Sequence, residues 1–304
     1  MNDDWLWDRS GPPDPEIERL ERTLAPLRYR HHGAHFRPAP RRPWAVAAAA
    51  AAVAAVAAAL AFTHAPAAPE TAWQVAGARL REGQVLRTGA APATLEAEAV
   101  GRVDLAPNSE LRATAEKRLS LARGELHALI WARPREFVVD TPSARAVDLG
   151  CEYTLRVDAG GDGMLNVSAG WVAFAVHGRE SFIPAGAQCH TQKHRGPGIP
   201  YYDDAPEALR GAVEAFDRGD HGAAAAILAA ARERDGLTIW HLLTRVEPAE
   251  RGAVYDRLAE LVPMLPGASR EGAVRGDPEA IDRCWDALGL ENTAWWRGWE
   301  RRWH

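Results

Sequence analysis

Cys189, His190 and His194 are the densest group of soft metal ligands in the chain. A structural zinc needs a closed tetrahedral set, and no nearby cysteine completes one. The three therefore read as loop residues holding no metal. The segment Asp158–Gly163 (DAGGDG) sets two carboxylates among three glycines. Calcium takes about six to eight oxygens and a closing Glu is missing, so the segment reads as a hairpin loop. Ser168, within NVSAG, sits in a loosely elbow-like string, but inside a strand pattern with no helix after it. GxSxG, HExxH, the P-loop and GxGxxG are absent. No catalytic residue, no metal site and no cofactor is expected, and the chain is not read as an enzyme.

The remaining chemistry is that of contact surfaces, and the elements must present them. Net charge is −5, from 36 basic and 41 acidic residues, so no positive excess exists to neutralise phosphates. Nucleic acid is not an expected partner. The 304 residues allow about two domains, and 47% apolar with 25% charged residues fits a globular chain.

Residues 44–62 (WAVAAAAAAVAAVAAALAF) carry no charge and no proline. As a helix they would span about 28 Å, close to a bilayer core, and a single transmembrane helix is expected there. Thirteen of the nineteen are Ala, so Trp44, Val46, Val53, Val56, Leu60 and Phe62 must supply most of the partition energy. Arg28, Arg30, Arg37, Arg41 and Arg42 precede it without an acid. The positive-inside rule then puts residues 1–43 in the cytoplasm and everything after residue 62 outside, giving a single-pass inner-membrane protein with periplasmic domains.

In the tail, Pro15 stands at a helix first position, and Ile17, Leu20, Leu24 and Leu27 make an apolar stripe. So few residues cannot bury that stripe among themselves, which makes it a candidate partner-binding face. Residues 63–72 read as a linker. From 73 to 192 the apolar period is two, with turn signals such as Pro107-Asn108, Arg123-Gly124, Arg133-Pro134 and Thr141-Pro142. This predicts an all-β sandwich or solenoid-like domain. A second linker covers 193–205. Over 206–304 the period returns to 3.6, predicting four or five short helices with starts at Glu247-Pro248 and Asp277-Pro278. Trp296, Trp299 and Trp303 share one face of a terminal helix. They are candidates for interfacial docking, or for packing back on the helical domain. The expected fold class is thus multi-domain α and β: a single transmembrane helix, the all-β domain and a C-terminal all-α domain.

Cys151 follows the Leu149-Gly150 turn and Cys189 the last predicted strand. In an oxidising compartment they are expected to pair, leaving Cys284 free, for a gain of about 4 kcal/mol from the closed loop. Two buried free thiols are the alternative.

GRVDLAPNSELR (101–112), RLSLARGELHALIW (118–131), FVVDTPSARAVDLGCEYTLRV (137–157), GWVAF (170–174) and IPAGAQC (183–189) together resemble the FecR-type sensor domain. The resemblance implies a single-pass transmembrane regulator whose cytoplasmic segment binds an extracytoplasmic-function sigma factor and whose periplasmic part receives a signal. The cytoplasmic part is shorter than the anti-sigma domain of the better-known members, and the C-terminal helices replace their small α/β domain. Two functions are expected: an anti-sigma-like transmembrane regulator contacting a sigma factor or other cytoplasmic regulator, or an envelope structural or binding protein whose domains hold another envelope protein or a glycan.

Overall fold

A computed structural model of the chain describes residues 15–24, 72–176 and 178–290. The chain forms two compact units, Met1–Pro66 and Ala67–His304. In the first lies α1 (Pro15–Leu24), with Glu16 and Glu18 in its first turn and Arg22 in its last, each sign placed where the helix dipole favours it. Residues 44–62 lie outside the described residues. Among those described, no helix is long and apolar enough to cross a membrane. The expected fold class is corrected accordingly: the described residues are mostly β-sheet with a C-terminal helical part, and the single transmembrane helix finds no support among them. That expectation leaned on thirteen alanines, which favour helix far more than they favour lipid.

The second unit begins with sixteen strands among the described residues. They are β1 (Gln74–Val75), β2 (Ala78–Arg79), β3 (Val85–Arg87), β4 (Ala93–Ala97), β5 (Gly101–Leu105), β6 (Glu110–Ala115) and the thirteen-residue β7 (Arg118–Ile130). Then come β8 (Val138–Asp140), β9 (Arg145–Asp148), β10 (Glu152–Val157), β11 (Gly163–Ala169), β12 (Trp171–Val176), β13 (Arg179–Pro184), β14 (Ala187–Gln192), β15 (Gly196–Pro197) and β16 (Tyr201–Tyr202).

β7 serves two sheets. From Gly124 onward it pairs with β5 and β10; before that it pairs with β6 and, in parallel, with β8. The first sheet continues through β11 and β14 on one side and β4 and β1 on the other. The second continues through β9, β12 and β13, and through β3. The changeover is written in the side chains. Leu119 and Leu121 are buried at odd positions, Leu126, Ala128 and Ile130 at even ones, and Ala122 to Glu125 absorb the change of phase. Gly124 takes φ +97°, and a Cβ there would stand 2.1 Å from Ser109 Oγ. The Arg123-Gly124 pair, expected as a turn, is therefore a bend inside one strand.

Inner faces of the two sheets meet in a sandwich core that includes Leu95, Val103, Tyr153, Leu155 and Leu165 from one and Leu111, Val139, Val172 and Phe174 from the other. The same core runs on into the helices α2 (Glu207–Asp217), α3 (Ala224–Ala230), α4 (Gly236–Leu243), α5 (Arg251–Leu261), α6 (Arg270–Arg275) and α7 (Pro278–Ala287). α7 starts where Asp277-Pro278 predicted, with the Asp277 carboxylate accepting the Glu279 N–H at 3.0 Å. α5 starts three residues after Glu247-Pro248, at Arg251. All eight residues of α4 are buried, as a helix apolar nearly all round must be. Residues 193–205, expected as a linker, contain β15 and β16, which pair with β14. Ile199, Tyr201 and Tyr202 are buried there, and that apolar content binds the segment to the core.

Candidate functional site: an outward sheet face backed by a buried clasp

On α1, Leu20 and Leu24 are 64% and 50% exposed, and Glu18 pairs with Arg22 on its surface. Leu27 lies outside the described residues, and so do Trp296, Trp299 and Trp303. Ile17 stands within α1.

All three cysteines are buried free thiols, so the expected Cys151–Cys189 bond is absent. The register shows why. Leu155 pairs with Leu165 and Leu165 with Cys189, and Cys151 is four residues upstream of Leu155. That places the two cysteines about 13 Å apart along the strands and about 10 Å across them, whereas a disulfide needs Cα atoms within about 7 Å. The Cys151 thiol donates to the Asp148 carboxylate, which also accepts the Gly150 N–H at 2.8 Å. Burial pushes Asp148 up to about 7 and carries the Cys151 thiol far above its ordinary range. Burial also pushes Cys189 up to about 12. Neither thiol is a nucleophile near neutrality.

Cys189 and His190 belong to β14 instead of a loop. Neighbouring strand residues face opposite sides, so Cys189 is turned into the sandwich core while His190, on the opposite side, stacks on the buried Tyr201 ring. They cannot converge on one metal. The Asp158–Gly163 segment is the β10–β11 turn, with Asp158 Oδ1 accepting the Gly161 and Asp162 N–H groups at 2.8 and 3.0 Å. Ser168 is exposed on β11.

Behind the sheets, α4 clasps the edge of the second one. β13 is the last strand there. Its Phe182 N–H donates to His241 Nε2 at 3.1 Å, so His241 carries its proton on Nδ1, which donates to Leu237 O at 2.8 Å. Arg245, just past α4, donates to Glu180 O, Ser181 Oγ and Pro197 O at 2.9, 2.6 and 2.7 Å. The imidazole and the guanidinium thus take the hydrogen-bonding places of a further strand and close the edge to other chains. Burial, reinforced by Arg245, lowers His241 to about 3. Burial, reinforced by Arg179, lowers Arg245 to about 9, while the Asp217 carboxylate works the other way. Burial raises Asp217, which Arg245 and the Ile199 N–H oppose. Gly198 makes room for it, since a Cβ there would stand 2.1 Å from Asp217 Oδ2. His241 stood in the sequence as one polar residue within IWHLL. That isolation in an apolar run was the available signal.

The first sheet's other side faces out in three rows. Glu96, Arg102, Leu129 and Glu152 form one; Thr94, Asp104, His127, Thr154, Asn166 and Gln188 the next; Glu125, Arg156, Met164 and His190 the third. His127 Nε2 lies 3.0 Å from Glu152 Oε1. Arg102 donates to Asp104 at 3.1 Å, and Arg156 Nε to Glu125 at 2.7 Å. The third row opens onto a cleft of about 430 Å³ that also has Glu214 of α2 and Arg218, just past it, in its wall. The face is thus an ordered, polar surface crossed by ion pairs.

A family model described as FecR protein matches residues 84–173, the stretch from β3 into β12. The chain contains a FecR-type domain. The matched segment ends within β12, so the strands and helices after it, including the clasp, lie beyond it. Two crystal structures of a "putative anti-sigma factor" from Parabacteroides distasonis are similar to this chain at 16% identity and a TM-score of 0.35. Each comparison covers 45% of this chain and 65% of that one. That likeness is too slight to carry an argument. No curated protein matches the chain.

Proposed function

We propose that this FecR-type regulator acts by contact instead of catalysis, and that its partner is a sigma factor held on α1. The observation that carries the reading is the FecR match at residues 84–173, because regulators built on that domain work with sigma factors. α1 supports it. Leu20 and Leu24 stand exposed on a helix of ten residues, too short to be stable alone in water, so docking in a groove would order and cover it. No membrane-spanning helix enters the proposal.

The test is co-expression of the full chain with each extracytoplasmic-function sigma factor of its source organism. One of them should co-purify with the wild type, and Leu20→Asp with Leu24→Asp should abolish that retention at unchanged thermal stability. If no sigma factor is retained, or the double variant retains it equally, the reading fails and the alternative of an envelope-binding protein takes its place.

A further inference from the structure

The sigma-factor reading leaves the outward sheet face unused. Leu129 and Trp131 are 44% and 56% exposed. With Leu265 they are the large apolar side chains so exposed among the described residues of the second unit. They follow one another on the outward phase of β7 and its end. The Trp131 indole N–H donates to Glu98 O at 2.7 Å, so the ring is held before anything binds and little rotamer freedom remains to be lost.

Charge around this pair is one-sided. Glu96, Glu98, Asp104, Glu125 and Glu152 stand on these strands and their connection, against Arg102 and Arg156. Arg102 is shared between Asp104 and Glu96, and Arg156 is taken by Glu125. Glu98 has no ion pair among the described residues. Glu152, the cross-strand neighbour of Leu129, has only His127, which is charged only when protonated. Arg133, two residues beyond Trp131, acts on Glu136.

We propose that this face docks a cationic peptide segment, one presenting Arg or Lys beside an aliphatic side chain. The cation lies over the Trp131 ring with Glu98 and Glu152 as its counter-charges, and the aliphatic side chain covers Leu129. The proposal is independent of α1.

The test uses the full chain and a fluorescent capped peptide of alternating Arg and Leu, read by anisotropy at low and high salt. Two further probes are the same peptide with Glu for Arg and neutral phosphatidylcholine vesicles. The Arg–Leu peptide should bind with salt-sensitive affinity and the Glu–Leu peptide should not. Trp131→Ala, and separately Glu98→Gln with Glu152→Gln, should each weaken binding about tenfold, which is about 1.4 kcal/mol. Glu82→Gln with Glu116→Gln, exposed carboxylates elsewhere, should leave it unchanged. No binding of the Arg–Leu peptide, equal binding by the Trp131 variant, or equal weakening by the Glu82/Glu116 variant would overturn the proposal. So would vesicle binding that Trp131→Ala abolishes, which would make the face a lipid contact.

Discussion

His241→Gln separates the titration of the clasp from its hydrogen bonds. The imidazole is fully buried and neutral, with Nε2 accepting from Phe182, and its pKa is lowered from 6.5 to about 3 by burial first and Arg245 second. A lowered folded-state value means that the unfolded chain binds the proton more readily. Stability is therefore present in full above about pH 6.5 and is lost as pH falls toward the folded value near 3. Between pH 7.5 and pH 5 this one group costs the wild type about 2 kcal/mol. Glutamine offers an amide oxygen near the place of Nε2 and does not titrate. It gives up the Leu237 contact and some packing, so the variant should be destabilised by about 1 kcal/mol at pH 7.5. The difference between wild type and variant should then shrink as pH falls and reverse by pH 5. Asp148 works in the opposite direction: its raised value, about 7, relieves a penalty as pH falls from 7 toward 4. Only the difference between the two proteins isolates His241. Urea unfolding at the two pH values measures it, provided the m-values agree. Parallel pH dependence in the two proteins would refute the neutral buried imidazole and the clasp built on it.

Gly124→Ala should cost about 3 kcal/mol, since it combines left-handed backbone strain with a clash on Ser109. Gly211→Ala, in α2 with nothing within 4 Å of the new Cβ, should instead stabilise by about 0.5–1 kcal/mol. A Gly124 variant within about 0.5 kcal/mol of wild type by urea midpoint would disprove the bend. The three buried thiols should resist a thiol-reactive dye in native buffer and all react in denaturant, while reductant leaves Tm unchanged; a drop in Tm on reduction would revive the disulfide.

Alternation made the strands legible, and Asp277-Pro278 made the start of α7 legible, because both signals are local. Arg123-Gly124 carried a turn signature, yet its meaning depended on which sheet each flank joined. Only the odd-to-even shift from Leu121 to Leu126 encodes that, and a shift of phase looks the same beside a turn. Gly, Pro and charge dominate the composition of 193–205 and make it read as a linker, whereas Ile199, Tyr201 and Tyr202 decide its burial. Compartment and chain order pair Cys151 with Cys189, but neither contains the register that separates them. Of the candidate site, Leu20 and Leu24 could be seen from their spacing alone. Leu129 and Trp131 stood on the same phase as Glu125 and His127, which marks them as outward-facing, but their prominence needed the strand neighbours to be known. The His241–Phe182 contact joins residues 59 apart in sequence and had no local mark beyond a lone imidazole in an apolar run.

The sharing of β7 has a mechanical consequence. Its thirteen residues span about 43 Å if straight, and a single covalent backbone is the common member of both layers. Neither layer can peel away while the other stays whole, because the strand being lost is one and the same. Under a pulling force the two sheets should rupture in one event, and in amide exchange their slowest protons, on both sides of Gly124, should open with the same free energy. A load applied to the outward rows beside Leu129 travels along that member, through the Gly124 bend, to Arg118 and so to β8 and β9.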